Sequence, residues 1–264
     1  MTDQWGAFIW YELMTTDPEG AKAFYDAVVG WDIQPGDGSA MDYRMIKRAD
    51  GGHAGGMLVL TEAMKGGGAR PGWLGYVSVP DVDAAVASVE QAGGRAHMPA
   101  TDMPGVGRIA MVADPQGAPL YLMKPTPPSD NPDAVSDVFS VDKAGHVRWN
   151  ELATSDPLAA IGFLEQQFGW RKDGEMPMGD LGAYQFISRD GTMIGAVMPL
   201  MPGMTHAAWS FYFGVEDIDR AAETIRGAGG TITAEPMQIP GGEYSLSAID
   251  PQGASFGLVG PRKA

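Results

Sequence analysis

The sequence predicts an α+β chain made of two copies of one domain, and three observations point there. Residues 8–31 recur at 147–170, residues 73–124 recur at 209–260, and each recurring half passes from strand-like to helix-like patterning. Self-similarity of this kind marks a duplicated folding unit. In the first pair, FIWYELMTTDPEGAKAFYDAVVGW lies over VRWNELATSDPLAAIGFLEQQFGW with ten of 24 positions identical. Among them are Trp10/Trp149, Glu12/Glu151, Asp17/Asp156, Pro18/Pro157 and Trp31/Trp170. The second pair aligns without a gap and shares Trp73/Trp209, Tyr76/Tyr212 and the string DPQGA at Asp114–Ala118 and Asp250–Ala254. A first domain over 1–124 and a second over 146–264 are therefore expected. Between them, 125–145 is rich in proline, which favours extended backbone and reads as a semi-rigid linker.

Each copy divides again into two β-α-β-β-β halves. Residues 8–14 read as a strand, and Asp17-Pro18 as a helix cap followed by proline at the first helical position. Phe24, Tyr25 and Val28 then recur at helical spacing until Gly30 ends the helix. Strands are expected at 31–35, 43–48 and 55–60. In the second half, 73–79 is the strand, Asp81 the cap, and Val82, Ala85, Val86 and Val89 the apolar stripe, stopped by Gly93-Gly94. Strands near 95–98, 107–112 and 119–123 complete the unit. In copy two Ile218, Ala221, Ala222 and Ile225 carry the matching stripe.

Composition narrows the function classes. The chain has 264 residues, 44% apolar and 19% charged, which suits globular domains. Lys and Arg total 18 against 33 Asp and Glu, a formal net charge of −15. Such a surface repels phosphate backbones, and nucleic acid is not an expected partner. The absence of cysteine removes disulfides, thiolate metal sites and cysteine nucleophiles. No apolar run approaches the roughly 18 residues of a membrane span, and Met1–Trp5 lacks the start of a signal peptide. The expectation is a cytoplasmic protein without a membrane partner, with a homodimer left open. Phosphate-binding GxxxxGK[ST] and GxSxG motifs are missing.

The strings WxEL…TxDPxxAxxFY…GW, VxDxDAAxxxxxxxGG and DPQGAxxxL resemble the glyoxalase / bleomycin-resistance / extradiol-dioxygenase (vicinal oxygen chelate) superfamily, in its two-domain, glyoxalase-related branch. The resemblance covers nearly the whole chain outside the linker. It implies that paired β-α-β-β-β units curve into an open sheet or barrel around a small-molecule pocket. It implies an activity only loosely, because that fold hosts lyases, isomerases, dioxygenases and metal-free binders.

Metal-using relatives place His, Gln, Glu or Asp on the first and last strands of the paired units. Carried across, those positions fall on Trp10 and Trp149, Leu74 and Ser210, and Tyr121 and Gly257. The fourth strands, Gly55–Leu60 and Ile194–Leu200, hold no His, Asp or Glu. Indole and alkyl groups do not ligate metals. No cofactor is expected; a divalent metal on relocated ligands is the alternative.

Strand alternation puts Trp10 with Glu12, and Trp149 with Glu151, on one face. If Trp10 faces the pocket, each copy presents an aromatic wall beside one carboxylate. Glu12 and Glu151 are the candidate acid/base groups. Trp10, Trp73, Tyr76 and Tyr121, with Trp149, Trp209 and Tyr212, are the candidate ligand-binding rings. The same strand also reads as architecture, with Trp as core filling and Glu tied to backbone, Arg or Tyr. The readings left open are a metal-independent binder of an apolar or aromatic metabolite, a metal-dependent lyase or dioxygenase, and a sequestering resistance protein without turnover.

Overall fold

The computed structural model describes residues 4–36, 42–129, 131 and 133–263. Copy one runs β1 (Phe8–Thr15), α1 (Pro18–Val29), β2 (Asp32–Ile33), β3 (Tyr43–Lys47), β4 (His53–Val59), α2 (Glu62–Gly66), β5 (Gly72–Ser78), α3 (Val82–Gln91), β6 (Arg95–Met103), β7 (Gly107–Ala113) and β8 (Pro119–Pro125). Copy two runs β9 (Val147–Thr154), α4 (Pro157–Phe168), β10 (Arg171–Pro177), a 3-10 turn at Gly179–Leu181, β11 (Ala183–Arg189), β12 (Thr192–Pro199), β13 (Ala208–Gly214), α5 (Ile218–Gly227), β14 (Thr231–Gln238), β15 (Tyr244–Ile249) and β16 (Ser255–Gly260). The four expected β-α-β-β-β units are present. The short helix α2 was not expected.

The helices begin where their caps dictate. The side chains of Asp17, Asp81 and Asp156 each accept a hydrogen bond from the backbone N–H three residues on, which satisfies an otherwise orphaned donor. Gly30 and Gly169 close α1 and α4 at φ 84° and 69°, in the left-handed region that favours glycine. No helix among the described residues is long and apolar enough to cross a membrane.

The sequence left open whether the β-α-β-β-β units associate within a copy or between copies. The strands of each copy form one eight-stranded sheet, β2-β3-β4-β1-β5-β8-β7-β6 and β10-β11-β12-β9-β13-β16-β15-β14, while the compact units draw on both copies. One unit comprises Trp10–Leu74, Asp137–Trp149 and Ser210–Ala264; the other comprises the stretch ending at Ile9 with Gly75–Ser136 and Asn150–Trp209.

In the unit containing Trp10, the strands run β2-β3-β4-β1 and β13-β16-β15-β14, with β1/β4 and β13/β16 parallel. Helix α1 packs on α5, and the approach is close. A Cβ at Gly230 would lie 2.8 Å from the Phe24 ring. Beneath the helices Tyr25, Trp31, Trp73, Phe213 and Phe256 form an aromatic core, with Trp73 and Phe213 centroids 4.7 Å apart. Buried ring polar atoms need partners. Trp73 Nε1 donates to Tyr25 Oη (2.9 Å), and Tyr25 Oη donates to Asp250 Oδ2 (3.0 Å). Asp250 Oδ1 meanwhile accepts from the backbone N–H of Gln252 and Ala254, fixing its DPQG turn. The chain before β9 is tied into the same unit. The buried Arg48 guanidinium bonds Asp50 and Asp137 (2.6 Å to Asp137 Oδ2), and Trp31 Nε1 donates to Gly145 O (2.8 Å).

In the other unit the strands run β5-β8-β7-β6 and β10-β11-β12-β9. Phe8, Phe168, Trp170 and Trp209 form its aromatic core, and Trp170 Nε1 donates to Gly6 O (2.6 Å). Asp114 holds its turn as Asp250 does, accepting from Gln116 and Ala118 N–H.

Candidate functional site

The site in copy one starts from the alternation of β1. Tyr11 and Leu13 are fully buried on the core face, so Trp10, Glu12 and Met14 stand on the opposite one. Glu12 is only 3% exposed and lies directly across from Gly56 on β4. That glycine matters. A Cβ at Gly56 would sit 2.1 Å from Tyr43 Oη, so the Tyr43 ring lies over it, beside the glutamate strand. Trp10 Nε1 donates to the same Tyr43 Oη at 2.8 Å. Trp10, Glu12 and Tyr43 thus form one patch, with the His53 ring 6.2 Å from Trp10. Burial first, then Lys47 and Arg48, pushes His53 below its usual range and favours neutral imidazole.

Copy two repeats the arrangement in the other unit. Glu151, on β9, lies opposite Ala196 on β12 and is 8% exposed. Tyr184 Oη donates to Glu151 Oε2 at 2.6 Å. The bond is short for a hydroxyl donor and an oxygen acceptor. Trp149, two residues before Glu151, is half-buried and belongs to the unit that holds Trp10.

The remaining candidate rings divide by face. Trp73 and Trp209 stand in the two aromatic cores, where Trp73 bonds Tyr25 and Trp209 packs on Phe8 and Trp170. Strand parity puts both on the core face, since that face of β5 and β13 takes odd positions. Tyr76 and Tyr212 take even ones. Tyr76 stacks on its cross-strand neighbour Tyr121, centroids 4.2 Å apart and planes 14° apart. Tyr212 lies over Gly257, whose Cβ would be 2.2 Å from the ring, and its Oη is 3.4 Å from Ser247 Oγ.

Sequence reasoning missed Tyr43 and Tyr184. The signal was present, because they begin the matching strings YRMIKR and YQFISR. The loops before those strings differ in length, which shifts the copy offset and hides the pair.

The donor types around the two glutamates bear on metal binding. Indole, phenol and one carboxylate gather there, and among the described residues no three or more His, Cys, Asp or Glu form a group that could hold an ion. The inherited ligand set does not fit these positions.

Two segments of the chain, 7–121 and 143–258, match the family model of the Glyoxalase/Bleomycin resistance protein/Dioxygenase superfamily. The chain belongs to that superfamily. Its two tandem glyoxalase-like repeats give an α+β fold of open mixed sheets, as the sequence implied. Among curated superfamily relatives, the Mycobacterium tuberculosis (strain CDC 1551 / Oshkosh) protein named "Putative glyoxylase CFP32" is 34% identical over 257 residues, 96% of this chain and 94% of that one. The anthracycline biosynthesis protein DauV of Streptomyces sp. (strain C5) is 27% identical over 269 residues, 98% of this chain and 94% of that one. Solved structures of the same fold include a Mn(II)-bound glyoxalase from Novosphingobium aromaticivorans, at TM-score 0.64 and 18% identity, covering 98% of this chain and 83% of that one. Homoprotocatechuate 2,3-dioxygenase from Brevibacterium fuscum, in complex with 3,4-dihydroxyphenylacetate, has TM-score 0.67 and 17% identity, covering 97% and 80%.

Proposed function

We propose that this chain is a small-molecule-binding member of the superfamily that works without a metal. In one unit Trp10 takes an apolar or aromatic metabolite with Glu12 as the polar contact, and in the other Glu151, held by Tyr184, supplies the polar contact. The observation that carries the reading is the Tyr184–Glu151 hydrogen bond, together with the matching Trp10, Glu12 and Tyr43 patch of copy one. A buried carboxylate needs partners, and the phenol supplies one. So held, Glu151 is an acceptor for a ligand O–H or N–H, and a base if that proton is acidic. The Trp10 indole supplies flat apolar surface in the unit that holds Glu12. Relatives named for anthracycline biosynthesis are consistent with a small-molecule role.

Titrating a panel of aromatic hydroxyl compounds into chelator-treated protein, read by tryptophan fluorescence and thermal shift, tests the reading. Saturable quenching and a rising midpoint are expected for part of the panel. A flat response throughout, with binding restored by adding Mn²⁺ or Fe²⁺, contradicts it. Product analysis after incubation separates turnover from sequestration, because a sequestering protein returns its ligand unchanged.

A further inference from the structure

The two copies enter their first strands through the same turn. Gly6 has φ 74° and Gly145 φ 76°. Gly6 N–H donates to Ser78 O, and Gly145 N–H donates to the matching Gly214 O, both at 2.8 Å. Each turn also accepts an indole proton, Gly6 O from Trp170 and Gly145 O from its repeat partner Trp31. One residue earlier the copies diverge. Copy one has Trp5, and copy two has Ala144.

The Trp5 ring covers the end of α4. A Cβ on Gly169, which closes that helix, would lie 2.9 Å from Trp5 Cζ3 and 3.0 Å from Cη2, so the six-membered edge of the indole rests on the glycine. Gly30 closes α1 in the same left-handed conformation, yet a Cβ there would meet no atom of the described residues within 4 Å. Copy two has a methyl in place of that ring, and a cavity of about 380 Å³ lies there, bordered by Gly30, Ala144 and Gly145. That volume falls in the range of small-molecule sites. Val28, Val215 and Ala221 are the buried apolar groups of its lining. The cavity lies in the helix layer, at the end of α1 and the start of α5, whereas Trp10 and Glu12 stand on the other face of β1.

Charge narrows what the cavity takes. Asp50, Glu216 and Asp217 line it together with Arg48 and Arg220. Arg48 is held by Asp50 and Asp137, Glu216 by Lys263, and Arg220 donates to Ala27 O. With these partners counted, four carboxylates face three cationic groups, so an anionic ligand is disfavoured. We infer that this cavity binds an indole-sized aromatic ring that carries no negative charge. The chain's own Trp5 marks the shape of the occupant, because the same helix end, turn and indole clamp hold it in copy one. A flat ring also covers the apolar lining with few rotors to freeze. The inference goes beyond the proposed aromatic-metabolite site, lies off its face and uses neither glutamate.

The test records amide NMR spectra of the isotope-labelled full chain during titration with indole, tryptamine and indoleacetate to millimolar concentration. Saturable shifts at Gly30 and Gly145 are expected with indole and tryptamine. Affinity for indoleacetate is expected to be about fivefold weaker, the scale of one unmatched charge near the surface. Ala144→Trp refills the cavity as copy one does and is expected to abolish those shifts. Trp5→Ala opens the matching site, so Gly6 and Gly169 are expected to respond to indole in that variant and not in wild type. Circular dichroism of both variants checks their folding, and the wild-type and Trp5→Ala responses decide if Ala144→Trp unfolds. Unmoved Gly30 and Gly145 amides in wild type overturn the inference, as does indoleacetate binding as tightly as tryptamine. A folded Ala144→Trp that still responds overturns it too, and so does a folded Trp5→Ala in which Gly6 and Gly169 stay still. Shifts confined to the Trp10, Glu12 and Glu151 amides also overturn it, while leaving the aromatic-metabolite reading intact.

Discussion

Tyr184 donates its phenolic proton to Glu151 Oε2 across 2.6 Å, joining β11 to β9 over the intervening strand β12. Removing the hydroxyl leaves a carboxylate, 8% exposed, short of one donor. Tyr184→Phe is expected to weaken binding of an aromatic hydroxyl ligand about tenfold, the scale of a hydrogen bond to a charged group. Fluorescence titration checks it. An unchanged affinity in a folded variant would detach the tyrosine from the site.

Tyr43 plays the matching part in copy one, where it accepts the Trp10 indole N–H at 2.8 Å. Tyr43→Phe is expected to free the Trp10 ring and shift its emission to the red, with only a small loss of stability. Steady-state fluorescence against a Trp10→Phe background isolates that indole.

The relay from Trp73 through Tyr25 to Asp250 is a matter of stability instead. All three are at most 5% exposed, so deleting the central hydroxyl strands a donor and an acceptor. Tyr25→Phe is expected to destabilise the chain by about 1–3 kcal/mol, seen as a lower urea midpoint with unchanged slope. Leu164 stands at the Tyr25 position in copy two, so the relay has no twin, and Asp114 Oδ2 is buried without a hydrogen-bond partner among the described residues.

Two sets of carboxylates respond oppositely to pH. Burial pushes Asp250 and Asp114 above the ordinary 3.8, against the pull of their hydrogen-bond donors. Between 3.8 and the raised values the folded chain holds more protons, so their contribution falls as pH rises. The Arg48 guanidinium holds Asp50 and Asp137 below 3.8, and their contribution is present above that value and lost as pH falls through the lowered ones. Urea midpoints against pH are expected to lose part of the acid-side drop in Arg48→Met, and part of the decline above pH 3.8 in Asp250→Asn.

Much of this architecture is legible in the residues themselves. Asp17, Asp81 and Asp156 cap helices because a short carboxylate reaches the third N–H. Ile218, Ala221, Ala222 and Ile225 mark the buried stripe of α5 because a helix turns every 3.6 residues. Glu12 and Glu151 stand out because a repeated carboxylate inside an apolar strand needs a reason. The association of units between copies is not legible. All four β-α-β-β-β units bury the same kind of helix and sheet surface, so periodicity cannot choose among partners. Trp73 and Tyr76 illustrate the remaining gap. Both are aromatic and three residues apart, and only strand parity, fixed once β5 is placed, sends one to the core and the other to the opposite face.

The proposed metal independence is tested most directly by elemental analysis of protein purified without a chelating tag, with ligand affinity measured before and after exhaustive chelation. The account predicts far less than one equivalent of any divalent metal per chain and the same affinity on both sides of the treatment. About one tightly held divalent ion per copy, the stoichiometry of a closed protein site, with affinity lost on its removal and recovered on its return, would contradict it.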